Sequence, residues 1–320
     1  MADSRAAVAR GYGEPADVLT IETGPVPRPA AGELLVAVRF ASVNPVDWKF
    51  LTGAMRGMID LAFPFRPGCD GAGTVAAVGA GVTRFAAGDR VAFNSPLPRC
   101  GGFATHVAVP AGACATIPDN VDDDLAAGLP VVAETAQQAL FDVADLRVGE
   151  TLLIHGASGA VGCCGLQLAK RAGAAVLATA SGKNADFVRL LGADTFIDYR
   201  TERFEDRVAE ISPGGVDVVL DTAGGETTDR SFAVLKRGGR LVSVAGLPDE
   251  QKAAAAGVRA EMVMMKPDGD RLADLLALAG KGRLSVETAE VFPLVKAAAA
   301  LAKQRDGGFR GKLLLDCGAP

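Results

Sequence analysis

The residues best suited to chemistry lie together in Leu152-Leu153-Ile154-His155-Gly156-Ala157-Ser158-Gly159-Ala160-Val161-Gly162. Residues 151–154 read as a buried strand. A glycine-rich turn follows at once, and residues 161–172 carry a helical pattern. Strand, glycine turn and helix in that order place an anion on the helix N-terminus, where free backbone N–H groups and the helix dipole converge. The glycines let the backbone approach a pyrophosphate and let the helix pack on the strand. An ordinary strand-to-helix turn is the plainer alternative. Both flanks, however, have the form that a dinucleotide site needs.

The following strand, 174–179, should end near the adenosine ribose. A binder of NAD carries Asp or Glu there, about 20 residues past the glycines, to bind the ribose 2′-hydroxyl. Here the strand ends in Ala180-Ser181-Gly182-Lys183-Asn184. A hydroxyl and an ammonium suit a 2′-phosphate, so the expected cofactor is NADP(H). Ser181 could equally cap a helix starting near Asn184, with Lys183 solvated, and the two roles are compatible.

These residues need a frame. The 320 residues allow about two domains. An apolar content of 49% with 22% charged residues fits a globular enzyme. A net charge of -5 gives no general attraction to nucleic acid or anionic membrane. No uncharged apolar run approaches the roughly 18 residues that span a bilayer, and the opening residues carry no apolar signal core. The expected location is therefore cytoplasmic. The six cysteines form no C-x-x-C pair, and the two histidines have no ligand-like spacing to a cysteine or acid. Neither a disulfide framework nor a zinc site is expected. Cys163 and Cys164 read as small residues for helix–strand packing.

Residues 5–10, 34–40, 73–78, 90–93 and 105–109 are short strands broken by Gly/Pro turns, which predicts a compact β-rich, barrel-like domain. From Asp122 helices alternate with apolar runs at 151–154, 175–179, 195–198, 216–221, 239–245 and 258–265. That is a βαβ series, hence a doubly wound parallel sheet of Rossmann type. The last strands, 290–294 and 311–315, are better used returning to the first domain. The expected division is 1–122 with 268–320, and 123–267.

By these motifs the chain resembles the medium-chain dehydrogenase/reductase superfamily, in its zinc-independent quinone oxidoreductase and enone reductase branch. The resemblance rests on Gly11-Tyr12-Gly13-Glu14-Pro15, Ala41-Ser42-Val43-Asn44-Pro45-Val46-Asp47-Trp48-Lys49, Pro67-Gly68-Cys69-Asp70-Gly71-Ala72-Gly73-Thr74-Val75, Gly101-Gly102-Phe103-Ala104 and the closing Gly311-Lys312-Leu313. It spans nearly the whole chain and implies a GroES-like catalytic domain beside the Rossmann domain. Zinc-dependent relatives carry a cysteine where Asn44 stands and His-Glu where Cys69-Asp70 stand. They also have a four-cysteine lobe where residues 94–101 hold only Cys100. Without a metal there is no Lewis acid to activate an alcohol. Reduction of a quinone or an activated C=C is favoured instead.

The resemblance places Gly156, Ser158, Gly159, Ala160 and Val161 at the pyrophosphate, and Ser181, Lys183 and Tyr199 around the 2′-phosphate. It also places Thr135, Ala223 and Ala245 toward the nicotinamide side, with Asn44 and Lys312 among the cofactor contacts. Tyr199 could instead be a surface aromatic. Reduction of an enone puts negative charge on its carbonyl oxygen, and a donor aimed there stabilises it. Asn44 and Lys49 are the candidates. Asn44 would hold the ribose or the substrate oxygen; Lys49 would donate to the enolate and protonate it, or else pair with Asp47 or solvent. His106 reads as packing. Trp48, Phe63 and Phe65 read as pocket lining or core. Glu134 is unusual for the family and either faces solvent or alters the polarity of the site.

The main expectation is an NADPH-dependent reductase of quinones or α,β-unsaturated carbonyls. A non-catalytic NADPH-binding protein, crystallin-like or RNA-binding, is the alternative from another class, and a zinc-type alcohol dehydrogenase is a third. The resemblance also implies a homodimer paired through the sheet edge at 258–265, since an exposed apolar edge invites pairing.

Overall fold

The structure is a computed structural model that describes residues 3–318. The chain divides into two compact units, one running to Val131 and resuming at Lys266, the other Val132–Met265.

The second unit is built on a six-stranded parallel sheet. Its spatial order is Thr195–Asp198, Ala175–Ala180, Thr151–His155, Val216–Asp221, Leu235–Ser243 and Arg259–Met262. The apolar runs are buried on both faces, as in Leu152, Leu153 and Ile154 or Val218, Val219 and Leu220, each with no exposed surface. The order reverses beside Thr151–His155, so the glycine turn leaves the sheet at its switch point. This is the doubly wound arrangement that the sequence implied.

Two strands differ most from the pattern. The fifth strand begins at Leu235, not 239, because Val216 pairs with Leu235 and the register then slips to Val218–Arg240. Gly238, at φ 78°, provides the irregularity. The edge strand is only Arg259–Met262, because its one neighbour ends at Ser243.

The first unit is centred on the 11-residue strand Glu33–Val43. It pairs antiparallel with Asp70–Val78, His106–Pro110 and Lys312–Asp316. Arg90–Asn94 and Cys114–Thr116 extend one side, and Thr288–Pro293 runs parallel to Lys312–Asp316 on the other. The C-terminal strands thus complete the first unit's sheet. Its core gathers Leu34, Val36, Phe50, Phe93, Phe103 and Leu313.

The sequence reading put the first boundary after residue 122. The helix Asp123–Gly128 instead belongs to the first unit. Arg90 Nε donates to Asp123 at 3.0 Å, and Thr288 Oγ1 donates to Asp124 at 3.3 Å. A Cβ on Gly128 would stand 3.2 Å from Val286. The polar opening of this helix looks like a linker in sequence, and only these distant partners show where it packs.

The helix Pro45–Leu51 was hidden in a motif read for its chemistry alone. Asn44 is its N-cap, Pro45 occupies the first turn, and Asp47 completes a capping box by accepting from Asn44 N at 2.8 Å.

Candidate functional site

In the nucleotide unit, the helix Ala160–Arg171 starts after Gly159 with no side chain capping it. Its first-turn N–H groups are therefore left for another acceptor. Gly156 holds φ 72°, and a Cβ there would lie 2.4 Å from Thr222 Oγ1. A Cβ on Gly162 would lie 2.3 Å from the Gly156 carbonyl oxygen. Glycine is thus required at both positions, once for the turn and once for the close approach of helix to strand. Thr222 Oγ1 donates to the His155 carbonyl at 2.7 Å and ties the turn to the neighbouring strand end.

At the end of Ala175–Ala180, Asn184 does what sequence reasoning did not foresee. Its Nδ2 donates to Ser158 Oγ at 3.0 Å and to Ser181 Oγ at 3.2 Å. One buried amide thereby joins the glycine turn to the residue expected at the 2′-phosphate. Ser181 sits in the N-cap position of the turn Gly182–Asn184, but its hydroxyl makes no capping bond. Lys183 is exposed, and Tyr199 is 56% exposed beyond the adjacent strand end. An acid is also near. A Cβ on Gly182 would lie 2.4 Å from Asp198 Oδ2, although Asp198 is far beyond the sequence window in which an acid is sought. Its other oxygen accepts from Arg200 N at 3.0 Å.

Asp221, fully buried, orders the next two strand ends. Its carboxylate accepts from Ala223 N at 2.9 Å, Gly224 N at 3.0 Å and Ser243 Oγ at 3.3 Å. Ser243 Oγ in turn accepts from Ala245 N at 3.2 Å. Ala223 and Ala245 are thus held by one network. On the helix Pro130–Gln137, Thr135 is nearly buried and Glu134 has no exposed surface, so Glu134 does not face solvent.

His155 is structural. Nδ1 lies 3.1 Å from Thr179 Oγ1 and Nε2 3.0 Å from Ser231 Oγ, with the ring edge-on to Phe204. Burial lowers its pKa to about 4, so it is neutral at physiological pH.

In the first unit a buried polar cluster surrounds Asn44. Lys312 Nζ donates to Asn44 Oδ1 at 2.7 Å and to the Val43 carbonyl at 3.0 Å. Asn44 Nδ2 donates to Asp70 Oδ1 at 2.7 Å, and Asp70 Oδ2 accepts from Val131 N at 2.9 Å. Asp47 accepts from Gly68 N at 2.9 Å besides the Asn44 N–H. Burial raises both carboxyl pKa values, that of Asp47 to about 7. Lys49 does not pair with Asp47. Its ammonium lies 5.9 Å from the Trp48 ring centroid, and among the described residues no ion pair of Lys49 is found. Among the described residues no group of three metal-ligating side chains is gathered. Cys69 Sγ lies 3.0 Å from Cys100 Sγ, a neighbour no short-range spacing could have indicated.

Residues 30–119 match the alcohol dehydrogenase GroES-like domain, and residues 191–315 match the zinc-binding dehydrogenase family. The chloroplast envelope quinone oxidoreductase homolog of Arabidopsis thaliana is 33% identical, over 91% of this chain and 92% of its own length. A quinone oxidoreductase from Coxiella burnetii superposes with a TM-score of 0.88 at 30% identity, covering 98% of this chain and 99% of that one. Mycobacterial Rv1454c complexed with NADPH gives 0.86 at 30% identity, with the same coverage. The chain belongs to the medium-chain dehydrogenase/reductase superfamily, among the quinone oxidoreductases, and it is an oxidoreductase by that kinship.

Two outcomes are expected. Lys312→Met leaves two buried carboxyls without their ammonium, a loss of about 3–5 kcal/mol. Both carboxyls carry raised pKa values and escape part of that loss by protonation, so the deficit in urea denaturation should shrink toward acid pH. A deficit independent of pH would contradict the cluster as described. His155, depressed from 6.5 to about 4, binds a proton more readily in the unfolded chain. Stability should therefore fall as pH drops from about 6.5 toward 4, by up to about 1.4 kcal/mol per pH unit from this group. His155→Asn should flatten that slope; an unchanged slope would count against a neutral His155.

Proposed function

We propose that this chain is a zinc-independent, NADPH-dependent oxidoreductase that delivers hydride to a quinone or to the C=C of an α,β-unsaturated carbonyl. The observation that carries this reading is the closed cluster at Asn44, Asp70 and Lys312. Asn44, Cys69 and Asp70 stand where zinc-dependent relatives carry Cys, His and Glu. Here Asn44 and Asp70 bond each other, and an ammonium supplies the local positive charge. An acceptor that is already electron-poor suits such a site, because it needs no Lewis acid.

A nicotinamide dinucleotide, when bound, supplies the hydride. The chain's own residues do the rest. The uncapped helix start at Ala160 and the cradle of Gly156 and Gly162 fit a pyrophosphate. Ser181, held by Asn184, and the exposed Lys183 provide a hydroxyl and an ammonium for a 2′-phosphate. Asp198 beside Gly182 opposes that preference, so selectivity depends on Lys183 outweighing it. Asn44, held by Lys312 and Asp70, would hold the cofactor ribose or the substrate oxygen. Lys49, free of any carboxylate, stabilises a developing oxyanion and then gives it a proton.

The test is cofactor consumption, NADPH against NADH, with a 1,4-quinone and a short enone as acceptors. Turnover with NADPH on either acceptor is expected. The double variant Ser181→Asp, Lys183→Ser should shift the preference toward NADH by about tenfold or more, the worth of one ionic contact. Equal use of both cofactors by the unaltered chain would overturn the NADPH reading. NADPH binding by fluorescence without turnover of either acceptor would favour the crystallin-like alternative.

A further inference from the structure

Two of the buried thiols face each other in the first unit. Cys69 Sγ and Cys100 Sγ stand 3.0 Å apart, and both residues are at most 2% exposed. The segments carrying them are fastened together on either side of the contact. Ser95 N donates to the Cys69 carbonyl at 2.6 Å, Gly102 N to the Gly68 carbonyl at 2.7 Å, and Phe103 N to the Pro67 carbonyl at 3.0 Å. Ser95 Oγ also donates to the Cys100 carbonyl at 3.1 Å. This backbone lacing holds the sulfurs in register without a covalent link, and proximity of this kind speeds an intramolecular step.

Access is asymmetric. Cys100 lines an open pocket of about 530 Å3, together with Pro64, Arg66, Pro98, Arg99 and His106. Cys69 does not line it. Cys69 Sγ also donates to Asp47 Oδ1 at 3.7 Å, so a proton acceptor is already in contact with the second thiol. Three other thiols donate to backbone carbonyls: Cys114 Sγ to Pro110, Cys163 Sγ to Ala160 and Cys317 Sγ to Gly102.

We propose that Cys69 and Cys100 form a redox pair that closes to an intramolecular disulfide when hydrogen peroxide enters the pocket beside Cys100. Cys100 Sγ attacks one peroxide oxygen. The O–O bond breaks, the departing hydroxide takes the thiol proton as water, and a sulfenic acid remains. Cys69 Sγ then displaces hydroxide from that sulfur. The S–S bond forms, the Cys69 proton passes to Asp47 and on to the hydroxide, and a second water leaves. Two thiols lose two protons and two electrons, and one peroxide becomes two waters. Closure shortens the S–S separation from 3.0 Å to a bond of about 2.05 Å, a small movement. The contact with Cys100 and then burial push the Cys69 thiol up, while at Cys100 the contact with Cys69 lowers the pKa and burial with the neighbouring carboxylates outweighs it, so the first step is slow and its direction is set by access. This pair does not depend on the acceptor or cofactor proposed above.

The experiment uses the full chain, fully reduced, exposed to hydrogen peroxide and then unfolded in an alkylating agent. Intact mass and peptide mapping should show two fewer alkylated thiols among the six cysteines, and one linked peptide pair containing Cys69 and Cys100. Dithiothreitol should restore all six. Cys69→Ser and Cys100→Ser should each remove the linked pair, with Cys69→Ser leaving a sulfenic or sulfinic acid on Cys100. Six alkylated thiols after treatment, a link between other cysteines, or over-oxidation of Cys100 without a link in the unaltered chain would overturn the proposal. The map of the unaltered chain decides even where a variant fails to fold.

Discussion

The hydrogen bond from the Lys312 ammonium to the Asn44 amide oxygen is the constraint on which the first unit depends. It joins the last strand of the chain to the end of the central strand Glu33–Val43 and to the cap of the helix Pro45–Leu51. Asp70, at the start of the next strand, takes the other end of the same amide. A buried ammonium is tolerable only with acceptors around it, and two buried carboxyls are tolerable only with a cation or protons. The raised pKa values of Asp47 and Asp70 show that one ammonium does not fully compensate both. Burial, more than the second carboxyl, therefore lets Asp47 keep a proton near neutrality.

The nucleotide unit is organised by close approach instead of charge. Gly156 and Gly162 remove the side chains that would keep helix and strand apart, and the helix start is left uncapped. Asn184 and Asp221, both buried, then fix the strand ends by hydrogen bonds: Asn184 couples Ser158 to Ser181, and Asp221 couples the turns at Ala223 and Ala245. An anion bound there would meet backbone dipoles at the helix start and side-chain donors to one side. That order suits a dinucleotide whose pyrophosphate is common to every variant and whose ribose phosphate is the distinguishing group.

The parts legible in the sequence were those whose signal is local. Continuous apolar runs marked the parallel strands, because a strand buried on both faces has no polar side to show. The glycine turn was legible because its conformational demand falls on the glycines themselves. Partnerships between distant segments were not legible. Asn184 reads as a helix-start residue until Ser158 is beside it. Asp198 comes beside Gly182 from an adjacent strand. Cys100 reads as a lone cysteine until the backbone lacing at Cys69 and Gly68 brings it to its partner. The helix Asp123–Gly128 shows the same limit, since its acidic start finds Arg90 only in three dimensions.

The central claim is that the chain reduces its acceptor with Lys312 and Lys49 supplying positive charge where zinc-dependent relatives use a metal. The most direct test is quinone-dependent NADPH consumption by protein stripped with a chelator, with metal content measured on the same sample. The account predicts undiminished turnover at metal contents far below one ion per chain. Turnover that is lost with the chelator and restored by zinc would contradict it.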